Sequence, residues 1–132
     1  MNKCTIVPSA YQASAQHLKM SPAILSGDFI FLTGTTGSDP QGHMPQDQST
    51  QIRNAFDKIG LVLKAAELNF NAVVEMTSYH VGLRGHFDLF DAIRLEYFHE
   101  PYPAWTAVEV AGLRREGAIV EIRAIAAKTP VA

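Results

Sequence analysis

The last quarter of the chain, PYPAWTAVEVAGLRREGAIVEIRAIAA over residues 101–127, limits the architecture more than any other stretch. Two runs rich in Val, Ile, Thr and Ala alternate along their length and are separated by a charged segment containing glycine, the pattern of strands rather than of helix. It predicts a β-hairpin: a strand over 105–113, a turn at Arg114, Arg115, Glu116 and Gly117, and a return strand over 118–127. Side chains alternate faces along a strand. Trp105, Ala107 and Glu109 therefore share one face, and Thr106, Val108 and Val110 the other. On the return strand Val120, Ile122 and Ala124 oppose Ile119, Glu121 and Arg123. The apolar faces are expected on the core. The remaining face carries Trp105, Glu109, Glu121 and Arg123, more chemistry than a solvated face requires. A register with Glu109 opposite Glu121 would set Arg123 opposite Ala107, bringing a carboxylate, a guanidinium and an indole together.

Upstream, residues 23–25 and 29–33 read as two short strands around a Ser26-Gly27-Asp28 turn. Residues 34–48, GTTGSDPQGHMPQDQ, form a loop that starts where a strand ends. A helix is expected over 49–68, because Ile52, Ala55, Phe56, Ile59, Val62, Leu63 and Ala66 make one apolar stripe, with Ser49 or Thr50 as its cap. Residues 72–83 alternate as a strand, with Val74, Met76, Ser78 and His80 on one face. A second helix is expected over 86–98. The order is ββαβαββ, an α+β domain with one sheet and both helices on one face. It occupies residues 1–132 as a single domain, with 1–22 an extended, surface-hugging segment bracketed by Pro8 and Pro22.

Composition narrows the function. A formal net charge of −2 supplies no basic surplus for neutralising phosphates, which argues against nucleic acid as a partner. No apolar run approaches the roughly 20 residues a membrane span needs, and the N-terminal residues lack the apolar centre of a secretory signal. One cysteine, Cys4, leaves no internal disulfide and fits a reducing cytoplasm. P-loop, dinucleotide-fingerprint and nucleophile-elbow spacings are absent. The five histidines show no paired spacing, so neither a metal nor another cofactor is expected. His80, on a mostly apolar strand face, reads as a hydrogen-bonded core residue.

The stretches GDFIFLTGTTGSDPQG, KAAEL, VVEMTSYHV, HFDLFDAIRLEYF and PAWTAVEVAGL with AIVEIRAIAA, in that order, resemble the RidA/YjgF family of reactive intermediate deaminases. The likeness covers residues 24–128. It implies a chorismate-mutase-like α+β protomer, a homotrimer around a sheet-lined barrel, and small-molecule clefts built between neighbouring subunits. Phe29, Phe31 and Val73-type residues would then fill an interface. In deaminating members an Arg in a PxRSC segment clamps the carboxylate of a 2-imino acid, a task suited to a bidentate, permanently charged group. Here the segment reads Pro103-Ala104-Trp105-Thr106-Ala107, and Trp105 stands at the Arg position. The resemblance carries a backbone-amide donor to Ala107, a water-positioning carboxylate to Glu121, and a hydroxyl to Thr33. It places Asp91 where the family has Asn and Met20 where it has Tyr; Tyr11 lies too far away in sequence to take that place.

Each assignment has a plainer reading. Trp105 can pack an interface as readily as it can stack on a substrate ring. Glu121 can pair with Arg123 or Arg94, and Asp91 can be an ordinary surface carboxylate. Arg123, on the same face as Glu121, is the candidate replacement for the missing clamp. Two functions follow: hydrolysis of an imine or enamine other than the usual 2-imino acids, or a trimer that binds a small metabolite or protein without turnover. RNA cleavage, attributed to some relatives, suits the charge poorly.

Overall fold

The computed structural model describes residues 3–128. Its strands are β1 Lys3–Ile6, β2 Ala23–Ser26, β3 Phe29–Thr36, β4 Val73–His80, β5 Ala104–Glu109 and β6 Val120–Ala127; its helices are α1 Gln12–Leu18, α2 Gln48–Ala65 and α3 Leu83–Arg94. From β2 onward the order is the expected ββαβαββ. The first twenty residues depart from expectation. A strand and a short helix replace the extended segment, β1 pairing antiparallel with β2. Helix α1 buries none of its residues, so it leaves no apolar stripe for sequence periodicity to register.

The six strands form one mixed sheet in the order β1-β2-β3-β6-β4-β5. This overturns the C-terminal hairpin. β5 and β6 run in opposite directions, as a hairpin requires, but β4 lies between them, parallel to β5 and antiparallel to β6. Ten residues, 110–119, connect β5 to β6, longer than the two to five of a direct hairpin and long enough to pass one strand. Glu121 therefore lies opposite Tyr79, and Arg123 opposite Thr77.

The same pairing inverts the faces of β5. Trp105 is register partner to Met76 and Ala107 to Ser78. Opposed residues share a face, and Met76 and Ser78 are buried beneath the helices. Trp105 accordingly packs against the core, while Val108 looks out from the open face. A bulge between Val73 and Glu75 shifts β4 likewise, burying Val73 and exposing Val74.

Helices α2 and α3 cover one face of the sheet. Ile52, Phe56, Ile59 and Leu63 from α2 and Phe90 and Ile93 from α3 meet Ile30, Leu32, Met76, Val120, Ile122 and Ala124 in a single core. Phe56 anchors it, with Tyr97 stacked at 4.8 Å and Phe90 tilted at 5.5 Å. The cap of α2 is Asp47, not Ser49 or Thr50; its carboxylate accepts from the Thr50 amide, and the helix begins at Gln48, one residue earlier than expected. Phe29, Phe31, Val74 and Val108 stay exposed on the opposite face.

Candidate functional site

β3 outruns its neighbour. The last β2–β3 pair is Ala23 with Leu32, and one more hydrogen bond joins the Thr33 amide to Pro22 O at 2.9 Å. Beyond it, residues 33–36 border a cavity of about 1190 Å³ that α1, α2, the loop after β3 and the β5–β6 connection enclose. Glu121 enters it from β6, opposite Thr36. Its carboxylate lies over Gly34, where an added Cβ would stand 2.5 Å from Oε2. The glycine makes the room that the carboxylate fills.

Thr33 and Met20 line this cavity with Glu121, so three of the residues expected at the site come together. The Thr33 hydroxyl donates to Ser21 O at 2.6 Å, which leaves its oxygen as an acceptor. Tyr11 also lines the cavity, with its phenol pKa raised by burial. By sequence alone Tyr11 lies too far along the chain from Met20 to be assigned to the site. The α1 helix folds it back beside Met20, and only recognition of that helix could have found it.

Lys58, from α2, borders the cavity together with Asn54, Ser38 and Arg115. Its ammonium donates to Ser38 Oγ at 2.9 Å. Burial, and then the neighbouring Arg115 charge, lower its pKa to about 8 against a smaller opposing pull from Asp39. The surrounding loop is held by side chains of α2. Buried Gln51 donates to Pro45 O and Gly117 O and accepts from the Ile119 amide, and Asn54 donates to Gly37 O.

Trp105, Ala107 and Asp91 lie elsewhere. Trp105 stacks on Phe87 at 5.7 Å with rings nearly parallel, and the Arg94 guanidinium sits 4.5 Å from its ring centroid. Arg94 in turn donates to Asp91 at 2.7 Å, so Asp91 serves as its ion-pair partner. The indole N–H donates to Ser78 Oγ at 2.8 Å. The same oxygen is 2.8 Å from His80 Nε2, and His80 Nδ1 is 3.0 Å from His86 Nε2. Ser78, His80 and His86 are all buried, so His80 is the core histidine that its strand position suggested. Burial, and secondarily His86, push its pKa down to about 4; burial lowers that of His86 too.

Within one chain these two groups cannot share a ligand. Glu121, on β6, is two strand steps from β5, about 10 Å at the usual spacing, and Trp105 is on the helix-covered face whereas Glu121 is not. Arg123 is exposed on β6 and does not border the cavity. Among the described residues Glu121 makes no ion pair with Arg123 or Arg94, and no group of three or more His, Cys, Asp or Glu is placed to hold a metal.

One mixed sheet under two long helices, with an acid-bearing cavity at the free end of a strand, defines a small α+β protein. Residues 10–128 match the family described as Endoribonuclease L-PSP. The RutC family protein YjgH of Escherichia coli (strain K12) is 33% identical over 127 residues, covering 96% of this chain and 95% of that protein. The 2-iminobutanoate/2-iminopropanoate deaminase of Bos taurus is 33% identical over 113 residues, 84% of this chain and 81% of its own. A solved structure of protein YJGH superposes with a TM-score of 0.87 at 33% identity, over 96% of this chain and 97% of that one. The chain belongs to the RidA/YjgF family, and its fold is that family's chorismate-mutase-like α+β fold.

Proposed function

We propose that the Glu121 cavity is a small-molecule cleft in which water hydrolyses an imine or enamine. The carrying observation is the Glu121 carboxylate lodged over Gly34 in a cavity large enough for a metabolite. In the reaction, water oxygen bonds to the C=N carbon, nitrogen gains protons, the C–N bond breaks, and ammonia leaves a carbonyl product. Glu121 orients the water and accepts its proton. The bovine relative's name as an iminobutanoate deaminase supports this chemistry in the family.

Trp105 argues for a substrate other than the 2-imino acids. Its ring is occupied by Phe87 and Arg94 and its N–H by Ser78, so nothing at that position grips a carboxylate. A homotrimer completes the proposal. The exposed Phe29, Phe31, Val74 and Val108 are an apolar face that needs a cover, and edge strand β5 could then bring Trp105 and Ala107 to a neighbour's Glu121. A second reading, a trimer that binds a metabolite or protein without turnover, is favoured by the same packing of Trp105.

The test is ammonia release from 2-imino acids and from carboxylate-free imines generated in situ. Acceleration that Glu121→Ala cuts by a factor of about 100 or more, the scale of general acid–base catalysis, supports the enzyme. No acceleration across the panel leaves the binding trimer, and light scattering in solution checks the subunit count.

A further inference from the structure

Three cations border the cavity, and Arg115 is close enough to Lys58 to act on its charge. Lys58 projects from α2, and Arg114 and Arg115 come from the β5–β6 connection. Arg115 is fixed by a 2.7 Å bond to Gly42 O, and Lys58 by its bond to Ser38. Among the described residues none of the three has a carboxylate within ion-pair distance. The acids bordering the same space are engaged. Asp39 Oδ1 accepts from the amides of Gln41 and His43, and its Oδ2 is 3.8 Å from the His43 ring. Asp57 accepts from the Tyr97 hydroxyl, and Glu121 is at Gly34.

A half-buried ammonium whose only hydrogen-bond partner is a neutral hydroxyl, and on which burial and a nearby guanidinium outweigh the pull of Asp39, is short of negative charge. The scaffold around it is preorganised: Gln51 and Asn54 tie both loops to α2. An anion entering there meets aimed donors without having to order the protein first.

We propose that Lys58 and Arg115 bind the carboxylate of a small organic acid whose reactive carbon lies towards Glu121. The assignment of the reactive end rests on the imine-hydrolase reading above; the anion site itself does not. The carboxylate and the reacting carbon are held by different residues, Lys58 and Arg115 at one and Glu121 at the other, so the separation of the two along the acid is what the probes vary.

The probes are acetate, succinate and glutarate, titrated into the full-length protein by calorimetry, with the Lys58 Cε resonance followed against pH. Glutarate is expected to bind saturably in the millimolar range or tighter and to raise the Lys58 titration midpoint from about 8. Lys58→Met and Arg115→Gln should each weaken binding at least tenfold, while Lys58→Arg retains it. Absence of saturable binding, or unchanged affinity in Arg115→Gln, overturns the site; if Lys58→Met fails to fold, Arg115→Gln decides alone. Glutarate binding without imine hydrolysis removes the catalytic reading and keeps the anion site. Hydrolysis of carboxylate-free imines without glutarate binding does the reverse.

Discussion

The Arg94 guanidinium lies 4.5 Å from the centre of the Trp105 ring, so the indole is itself covered by a cation. Replacing Trp105 by Arg brings a second guanidinium towards Arg94, whose one carboxylate partner is Asp91. We expect Trp105→Arg to lower the melting temperature and to gain no 2-imino acid hydrolysis. Adding Arg94→Gln should recover part of the lost stability, because the repulsion is relieved. A single variant as stable as the parent would show that Arg94 turns aside freely. Trp105→Phe keeps an aromatic ring beside Phe87 but loses the N–H donor to Ser78 and the packing of the second ring, so its cost should exceed the roughly 1 kcal/mol of the hydrogen bond.

The buried histidine pair makes stability depend on pH. His80 titrates at about 4 in the folded protein and near 6.5 when unfolded. Its folded value is depressed, so its contribution is complete above pH 6.5 and is lost as pH falls towards 4, where the unfolded chain binds the extra proton. The full loss is about 3 kcal/mol, and His86 acts in the same direction. Urea unfolding at pH 7, 6, 5 and 4.5 should show a steadily falling midpoint. His80→Gln should flatten that fall, and an unchanged slope in the variant would remove His80 as its source.

Gly34 and Gly37 lie three residues apart, yet the same substitution should act differently at each. At Gly34 the obstacle is the end of the flexible Glu121 side chain. Gly34→Ala should leave the fold intact, displace the carboxylate, and lower turnover about as much as Glu121→Ala. At Gly37 the obstacle is the Gln51 backbone, inside α2, which cannot give without moving the helix. Gly37→Ala should destabilise by about 3 kcal/mol or more, read as a shift in denaturation midpoint. Equal stability losses at the two positions would contradict this picture.

Much of the fold was legible, and the failures share a cause. The α2 stripe, the β2–β3 turn and the buried His80 are set by local pattern, and periodicity found them. The C-terminal hairpin failed because pairing is not local: the sequence shows two strands and a gap, but β4 enters from thirty residues away and takes the place between them. The error carried into the site. With β5 turned over, Trp105 left the face of Glu121 and Arg123, and the cluster expected there dissolved. Glu121, Thr33 and Met20, linked by the family resemblance and not by the register, still border one cavity. Tyr11 and Lys58 were missed for different reasons. Tyr11 needed an all-exposed helix to be recognised, and Lys58 sits on an α2 position that pattern alone assigns to solvent.

Gln51 is the residue on which the cavity's far wall most depends. It is 1% exposed, and its amide meets three backbone groups: Pro45 O at 2.7 Å, Gly117 O at 2.8 Å and the Ile119 amide at 3.0 Å. These contacts bind the loop after β3 and the β5–β6 connection to one helix. Gln51→Met keeps much of the volume and leaves all three groups without that partner, at about 1–3 kcal/mol for each one that stays dry. The loops reach solvent more readily than the core does, so we expect a total loss of about 3 kcal/mol. The more specific consequence is local. Amide exchange should accelerate at Ile119 and in the loop over residues 37–47 while the protection of Ile93 and Ile122 in the core changes by no more than the global loss. If exchange instead rises uniformly across the sheet, Gln51 supports the whole core and not the cavity wall alone.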